Sequence, residues 1–482
     1  MRGISMKNTS KQNRGLSGSS PRSRIISSDC MKGILLVVCI SVLLCGCSAS
    51  RFGRNHEFDS DHIVFRAGAL SDIHQNLNGA DNNSLKMVSA LKQLEAISGG
   101  KLDAVLAAGD LTDAGTRDEV GQFKNNYLRC FRTDEVPMIY CMGNHDAKNS
   151  TYETLKTYPE WFGPDFFLTD EEDSVIDEGN RHCVVNGIHI IAIMPENYAV
   201  YGEVIMGEKT LSWLDGVLAK ITAEEPGKPV FVLTHAMPYD TCYGSDLKLG
   251  DSKGKLGWYS KDILDVLSKY NQVITLSGHL HFPLNDERSI MQTDFTALGC
   301  GSVRFMAIEN GNFEDMKSAT VMKDCASYSQ GLYIEVDIYG NTRIARMDFY
   351  NGGTIKEDWI IPAPKADGSH LKAYGKDRAE NPAPVFGKGG SVRKNTDGTL
   401  VLEFAAATDD DLIHDYSVFV CDREGNELRR FNILADFYKY TSPAQMKDSY
   451  SINIGAFDPS AISIRVVARD SWGNECEEHI NP

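Results

Sequence analysis

Five short polar stretches, each following an apolar run, constrain this chain more than any other feature of its sequence. Each apolar run has the length and composition of a buried strand, so each polar stretch begins where a strand is expected to end. Carboxylate, amide and imidazole groups gathered at strand ends are typical of a metal site in an open α/β sheet. The stretches are Ser71-Asp72-Ile73-His74, Gly109-Asp110-Leu111-Thr112-Asp113, Gly143-Asn144-His145-Asp146, Leu233-Thr234-His235 and Gly278-His279-Leu280-His281.

The spacing inside these stretches suits metal binding. Alternate residues of an extended chain point the same way, so the side chains of an Asp-x-His or His-x-His pair can reach one ion. The seven candidate ligands exceed the needs of a mononuclear site, and one carboxylate shared between two cations about 3.5–4 Å apart fits that number. Taken one at a time, each of these residues could instead be a helix cap, a turn residue or a structural histidine. The candidates are Asp72, His74, Asp110, Asn144, His235, His279 and His281.

The pattern of apolar residues predicts a βαβαβ arrangement at the start of this region. Apolar runs predict strands from Ile63, over 104–108 and over 138–142, and helical spacing predicts helices over 84–97 and 119–130. Further strands are predicted over 182–185, 188–194, 230–233 and 273–276, with an amphipathic helix over 211–221. Every chemically interesting group then lies just beyond the carboxyl end of a strand.

We predict three parts in the chain beyond residue 61. Residues 62–361 form the first domain, whose strand-rich end (302–361) supplies edge strands and a hairpin turn at Tyr339-Gly340-Asn341. Residues 362–384 have the Pro and Gly content of a linker. Residues 385–482 contain short alternating strands with polar turns, which indicate a β-sandwich, and two of its turn regions resemble fibronectin type III-like modules.

Two segments are candidates for substrate selection. Residues 147–180 form an acidic and aromatic insertion, which we expect to be a loop over the site; a solvated loop without function is the alternative. Residues 236–258 contain Tyr239, Tyr243 and Trp258, which suit either a pocket lining or the surface.

The N-terminus has the features of an export segment. Met31-Lys32 precedes an apolar run over 33–44 that is too short to span a bilayer, and Met31 could be the true start. The sequence Leu44-Cys45-Gly46-Cys47 resembles a bacterial lipobox, which implies cleavage before Cys47 and lipidation of its thiol. We therefore expect an exported, membrane-anchored lipoprotein on the periplasmic or cell-surface side, with residues 48–61 as a tether. A plain signal peptide or a short anchor is the alternative.

Charge disfavours nucleic acid as a partner. The chain has a net charge of -17; because residues 1–46 contribute +6, the remainder carries -23. Such a surface repels nucleic-acid backbones and anionic membranes, so the lipid anchor is the one membrane contact we expect.

Eight of the twelve cysteines lie beyond Cys47 and none forms a CxxC pair, which argues against a zinc-finger arrangement. Export permits disulfides, and Cys421 with Cys476 is a possible pair; buried free thiols are the alternative.

The five stretches, in this order over about residues 62–310, resemble the calcineurin-like metallophosphoesterase family. The resemblance implies a four-layer α/β/β/α sandwich with a dinuclear centre. It also implies that one metal binds Asp72, His74 and His281, that Asp110 bridges, and that the other binds Asn144, His235 and His279. His145 would be the acid–base or oxyanion-stabilising group, with Asp146 a weaker candidate for orienting it. The mixed nitrogen and oxygen ligands suit Mn, Fe or Zn.

Departures from the family pattern narrow the expected substrate. The chain lacks the Arg that protein Ser/Thr phosphatases carry after the second Asp, and Asp113 stands where purple acid phosphatases have a metal-binding Tyr. Its Gly-Asp-Leu-Thr-Asp run is more similar to the bacterial branch that includes cyclic-nucleotide phosphodiesterases, but Thr234-His235-Ala236 departs from the His-His-Pro often found there. We expect hydrolysis of a small phosphomonoester or phosphodiester. The alternative is a degenerate surface binding module in which the β-sandwich is the working part.

Overall fold

The computed structural model describes residues 57–482, which belong to one compact unit, with short gaps. The gaps are 79–81, 148–150, 164–165, 167–170, 172–173, 175–178, 197–203, 247–258, 310–318, 322–323 and 388. The predicted export segment with Cys47 lies outside the described residues. Within the described part of the chain, no helix is both long and apolar enough to span a membrane.

The first domain contains sixteen strands and five α-helices among its described residues. The strands are β1 (Ile63–Leu70), β2 (Ala104–Ala108), β3 (Met138–Cys141), β4 (Arg181–Val185), β5 (Ile188–Ala192), β6 (Val230–Leu233), β7 (Met237–Pro238), β8 (Tyr259–Ser260), β9 (Val273–Ser277), β10 (Ile290–Gln292), β11 (Thr296–Gly299), β12 (Ala307–Glu309), β13 (Ala319–Val321), β14 (Gln330–Asp337), β15 (Thr342–Asp348) and β16 (Trp359–Ile361). The helices are α1 (Asn83–Ile97), α2 (Arg117–Leu128), α3 (Thr151–Phe162), α4 (Glu208–Glu224) and α5 (Leu264–Leu267).

Most of these strands belong to two six-stranded mixed sheets. The first sheet has the order β16-β15-β14-β1-β2-β3, and β1, β2 and β3 run parallel. The second has the order β10-β11-β9-β6-β5-β4, and β11, β9, β6 and β5 run parallel. Parallel neighbours bring the carboxyl ends of β1, β2 and β3 to one edge, and those of β6 and β9 to one edge of the other sheet.

The two sheets pack face to face and share one hydrophobic core. The ring centroids of Phe65 on β1 and Phe231 on β6 lie 6.0 Å apart across the interface. Strands β2 and β9 are buried along their whole length because helices cover the outer faces. Leu94 of α1 lies over Gly68 of the first sheet, and α4 turns Leu214 and Leu218 towards the core. The predicted α/β/β/α sandwich is confirmed.

The C-terminal part is an all-β sandwich. Its strands are β17 (Val385–Phe386), β18 (Gly390–Lys394), β19 (Leu400–Ala405), β20 (Ala407–Thr408), β21 (Ile413–Asp422), β22 (Glu427–Leu434), β23 (Ser449–Gly455), β24 (Ile462–Asp470) and β25 (Glu475–Ile480). A three-stranded sheet, β18-β19-β23, faces a four-stranded sheet, β22-β21-β24-β25, around a separate core. The narrower fibronectin type III-like resemblance stays a prediction.

Three expectations about the first domain need correction. The insertion contains α3, whose Tyr158 and Phe162 are fully buried, so this part is core rather than a loop over the site. Strand β14 pairs with β1 inside the first sheet and is not an edge strand. The segment predicted as a linker packs on the first domain, since His370 is buried and bonds to the carbonyl of Asn271. Pro and Gly indicate an irregular backbone, but an irregular segment can still pack against the rest of a domain.

The sandwich contacts the first domain through a small apolar cluster. Its buried members come from the segment after β11 and from the sandwich: Met306, Ile308, Leu412, Phe437 and Tyr438. We call this group the interface cluster. It ties the sandwich to the segment of the first domain that follows β11.

Both cysteines of the possible disulfide are free thiols. Cys421 pairs with Ser463 at one end of β24, whereas Cys476 pairs with Ala468 further along that strand, so their positions in the sheet keep them apart. The free cysteines in the described part of the chain are buried or half-buried thiols, which was the alternative prediction from the sequence.

Candidate metal centre

All five polar stretches converge at the carboxyl ends of β1, β2, β3, β6 and β9. Their donor atoms form two groups that share Asp110. We call Asp72, His74 and His281 the first half-site, and Asn144, His235 and His279 the second half-site. Each predicted ligand is therefore present in one cluster, and none lies elsewhere in the fold.

The shared carboxylate is the centre of the geometry. Oδ2 of Asp110 lies 3.5 Å from Nε2 of His74 and 3.4 Å from Nε2 of His235. Its other oxygen, Oδ1, accepts a 2.8 Å hydrogen bond from the backbone N–H of His145. One oxygen is thus held by the backbone and the other faces both half-sites.

The first half-site is tightly gathered. Nε2 of His281 lies 3.3 Å from Oδ1 of Asp72 and 3.3 Å from Nε2 of His74. Nδ1 of His74 faces Oδ1 of Asp113 at 3.2 Å, and Nδ1 of His281 faces the carbonyl oxygen of Phe305 at 3.2 Å. These outer partners hold the N–H, so both Nε2 lone pairs point inward.

The second half-site has a similar construction. Nε2 of His235 lies 3.2 Å from Oδ1 of Asn144 and 3.2 Å from Nδ1 of His279. Nδ1 of His235 donates to the carbonyl oxygen of Ala108 at 2.8 Å, which leaves the Nε2 lone pair facing the cluster.

The donor set fits a divalent cation. Inward lone pairs from several imidazoles repel one another and the carboxylates unless a positive charge lies between them. Burial, with the charge of His235 added, lowers the pKa of His279 to about 3, so its imidazole is neutral, the form that binds a metal. Burial alone would lower the pKa of His235, but Asp110 and Asp72 outweigh it and raise that pKa to about 9. These carboxylates favour positive charge beside Nε2 of His235, and a bound cation would take the place of the proton there.

The local backbone conformation directs the candidate ligands towards the centre. Asp72, Asp110, His279 and His281 have φ angles of 51°, 51°, 77° and 59°, and His74 has 48°. All five lie in the left-handed region, which costs of order 1 kcal/mol or more for each non-glycine residue and is concentrated at functional sites. Left-handed turns, rather than alternation along an extended chain, therefore turn these side chains inward.

Two glycines of the polar stretches permit this close approach. A Cβ on Gly278 would lie 1.7 Å from Oγ of Ser71 and 2.6 Å from Oδ2 of Asp72. A Cβ on Gly143 would lie 2.1 Å from Oδ1 of Asp110. Any side chain at either position would displace a candidate ligand.

His145 lies at the open edge of the cluster. Its ring centroid is 4.4 Å from that of His74, and its Nδ1 is 2.8 Å from the backbone carbonyl oxygen of Asp113. The Asp113 carboxylate is also 3.5 Å from that nitrogen. Interactions with His145 and His74, together with Arg304, hold the pKa of Asp113 well below its usual range. The carboxylate is therefore ionised beside His145.

Asp146 does not take the orienting position expected of it. Its oxygens accept hydrogen bonds from the backbone N–H groups of Leu111, Thr112 and Gly143, at 2.8–3.1 Å, and from the hydroxyl of Tyr158 at 2.6 Å. It joins two of the polar stretches to α3, while Asp113 lies against His145.

Sequence reasoning missed the segment that follows β11. Oγ of Ser302 lies 3.0 Å from Nδ1 of His281, and the ring of Phe305 stacks on His281 with centroids 4.1 Å apart. Arg304 reaches Asp113. The sequence does place this polar segment just after a buried strand, and the same pattern identified the five polar stretches.

Comparison with known proteins agrees with this geometry. Residues 65–283 match the family model described as calcineurin-like phosphoesterase. A probable glycerophosphodiester phosphodiesterase GpdQ from Arcobacter nitrofigilis is 27% identical over 229 residues, which are 46% of this chain and 70% of that protein. A probable cyclic nucleotide phosphodiesterase from Rhodococcus erythropolis is 27% identical over 220 residues, 44% of this chain and 64% of that protein.

Among solved structures, the sulfate thiohydrolase SoxB from Termus thermophilus aligns with a TM-score of 0.33 and 13% identity, over 61% of this chain and 58% of that one. The family match and the phosphodiesterase relatives identify residues 65–283 as a calcineurin-like phosphoesterase domain. Its class is that of the phosphoric ester hydrolases.

Proposed function

We propose that the chain hydrolyses a small phosphoric ester with two divalent cations, one in each half-site. The observation that carries the proposal is the position of Asp110, whose Oδ2 lies 3.5 Å and 3.4 Å from imidazole nitrogens of the two half-sites. A single carboxylate oxygen between two donor groups is the arrangement that a dinuclear centre requires.

The roles of the residues follow from the contacts around that oxygen. The first half-site would hold one cation and the second half-site the other, with Asp110 placed to serve both. The mixed nitrogen and oxygen donors suit Mn, Fe or Zn. When bound, the cations would supply Lewis-acid chemistry, which would activate a water molecule for attack and offset the charge of the phosphate oxygens.

His145 acts on the departing oxygen. Its Nδ1 donates to the backbone carbonyl of Asp113, which directs Nε2 away from that carbonyl and makes it available to the ester. In the imidazolium form, which the ionised carboxylate of Asp113 at 3.5 Å from Nδ1 favours, Nε2 also carries a proton. That proton passes to the leaving oxygen and leaves neutral imidazole, or the Nε2–H donates a hydrogen bond to the charge that develops there, as attack proceeds in line on phosphorus. The buried Asp146 holds the surrounding loops together.

A phosphodiester is the favoured substrate, because both curated relatives carry phosphodiesterase names. A phosphomonoester is the alternative within the same chemistry. We further propose that the protein is exported and anchored by a lipid on Cys47, on the basis of the lipobox-like sequence. Its substrate would then be a small phosphorylated molecule outside the cytoplasm rather than nucleic acid.

The test is turnover of p-nitrophenyl phosphate and bis-p-nitrophenyl phosphate by protein loaded with Mn, Fe or Zn. Hydrolysis should require metal and should fall by about 100-fold or more in His145→Ala, because the acid–base contribution is lost. Turnover that survives both chelation and His145→Ala contradicts the proposal. Metal uptake without turnover of any ester would instead support the binding module.

A further inference from the structure

Arg304 lies at the edge of the metal centre, although its place in the sequence did not suggest a role there. Its backbone N–H donates to the carbonyl oxygen of Asp72 at 3.0 Å, and the preceding N–H, of Val303, donates to the carbonyl oxygen of Ser71 at 3.1 Å. The backbone of Arg304 is therefore fixed against the loop that carries a ligand of the first half-site.

The side chain of Arg304 points back to the centre. Its Nη1 donates to Oδ1 of Asp113 at 2.6 Å. The same oxygen lies 3.2 Å from Nδ1 of His74 and 3.5 Å from Nδ1 of His145. The guanidinium and the imidazole of His145 thus approach one carboxylate oxygen and lie close to each other.

Most of the hydrogen-bonding capacity of Arg304 is not used by Asp113. A guanidinium has five N–H donors in one plane, and the contact with Asp113 engages one of its nitrogens. About a quarter of the side-chain surface is exposed (25%), so part of the guanidinium is accessible to a ligand. The ring of Phe305, 5.6 Å away, limits how far the guanidinium can turn.

We propose that Arg304 binds a non-bridging oxygen of the substrate phosphate, next to His145. The inference rests on the proposed phosphoesterase function and adds the residue that holds the phosphate. The chain has a net charge of -17 and repels an anionic ester, so a fixed cation beside the reaction site offsets part of that repulsion. The planar guanidinium also matches the spacing of phosphate oxygens.

A purely supporting role for Arg304 makes a different prediction. If the guanidinium served only to neutralise Asp113, its removal would matter only while Asp113 is charged. If it binds phosphate itself, its removal weakens phosphate binding both with Asp113 present and after the substitution Asp113→Asn. A double-mutant cycle separates the two cases.

The experiment measures inorganic phosphate binding by calorimetry to the full, metal-loaded chain. The variants are Arg304→Gln, Arg304→Lys, Asp113→Asn and the double variant that combines Arg304→Gln with Asp113→Asn. The dissociation constant should rise about 10- to 100-fold in Arg304→Gln, with a similar rise when Asp113→Asn is already present and a partial one in Arg304→Lys. Arg132→Gln is the control, because Arg132 forms a matched 2.6 Å pair with Asp134 on an exposed loop; it should leave phosphate binding unchanged.

Metal content, measured in the same samples, must remain equal to wild type. Unchanged phosphate affinity in Arg304→Gln overturns the inference, as does a loss that disappears in the Asp113→Asn background or one that accompanies loss of metal. Failure of the wild type to bind phosphate overturns it too. Ester hydrolysis by the wild type is measured in parallel: if it persists, only the role of Arg304 fails, and if it is absent, the proposed function itself fails.

Discussion

The two half-sites use similar ligands but differ in what supports them. In the second half-site, His235 is oriented by the carbonyl of Ala108 at the end of a central strand. In the first half-site, His281 is oriented by Ser302 and Phe305, and the chain just beyond Phe305 belongs to the interface cluster with the sandwich. The second half-site is therefore oriented from a central strand, whereas the segment that orients the first half-site also contacts the C-terminal domain.

The half-sites differ in charge as well. The first half-site adds the carboxylate of Asp72 to that of Asp110, while the second adds the neutral amide of Asn144. More negative charge binds a divalent cation more tightly. We expect the first half-site to have the higher affinity, and its affinity to be the one that responds to changes in the sandwich.

The largest expected effect comes from the residue that the half-sites share. Asp110→Asn removes the charge between them while keeping the shape of the side chain. We predict weaker binding of both cations and a loss of turnover of at least about 100-fold, because even outer partners of metal ligands contribute 10- to 100-fold. Metal analysis and ester hydrolysis measure the two quantities. Loss of one cation with the other bound as in the wild type would show that Asp110 is not shared.

Single-ligand variants then separate the half-sites. His281→Ala should reduce bound metal to about one ion per chain and leave the second half-site filled, and His235→Ala should do the reverse. Titration calorimetry with Mn resolves the two events. Loss of both ions from either variant, with the fold intact by circular dichroism, would contradict two separate half-sites.

Glycine packing tests the geometry of the first half-site. Gly278→Ala places a methyl group on Ser71 and Asp72, so we predict destabilisation by about 1–3 kcal/mol and weaker binding at the first half-site. Gly216→Ala in α4 is the control, because a Cβ there meets nothing within 4 Å. It should raise stability by up to about 1 kcal/mol and leave metal binding unchanged. Equal effects of both variants on metal binding would contradict the prediction.

The interface cluster tests the dependence on the sandwich. Met306→Ala should cost about 2–5 kcal/mol and weaken cation binding at the first half-site, since it loosens the chain next to Phe305. Ile454→Ala, a fully buried position in the core of the sandwich, should cost a similar amount without that change in affinity. Metal titrations of both variants, carried out below their melting temperatures so that they remain folded, compare their cation affinities. If the first half-site binds cations equally well in both variants, the interface cluster does not influence that half-site.

The last prediction concerns pH and an ion-pair group of the first domain. Burial would raise the pKa of Glu287, but Arg346 and Lys356 outweigh it and lower that pKa to about 2. Because the folded pKa lies below the unfolded value near 4.5, the stability this group contributes is present above about pH 4.5 and is lost as the pH falls towards 2. In denaturant unfolding between pH 6 and 2.5, the free energy of unfolding of Glu287→Gln should change less with pH than that of the wild type. The difference should be at most about 3 kcal/mol. An identical pH profile would rule out this contribution.

Much of the centre was predictable because its ligands follow buried strands. Asp72, Asp110 and His235 each come two residues after a strand, and parallel pairing brings those ends together. The left-handed φ angles were not predictable, since Asp and His rarely adopt them and only packing of the whole site maintains the strain. The predicted convergence is correct although the extended-chain reasoning behind it is not.

Long-range contacts set the limit of what could be predicted. Arg304 meets Asp113 across 191 positions, and nothing in local pattern or propensity records such a pairing. The same holds for Tyr158 of α3, which an acidic and aromatic composition led us to place in a surface loop. Local sequence identifies strands and donors, whereas supporting contacts depend on how the finished layers meet.

The most direct test of the central claim is anomalous diffraction from crystals of the Mn-loaded protein. A dinuclear centre predicts two anomalous peaks about 3.5–4 Å apart, one among the first half-site ligands and one among the second, with the carboxylate of Asp110 in contact with both. A single peak, or two peaks that do not share Asp110, would contradict it.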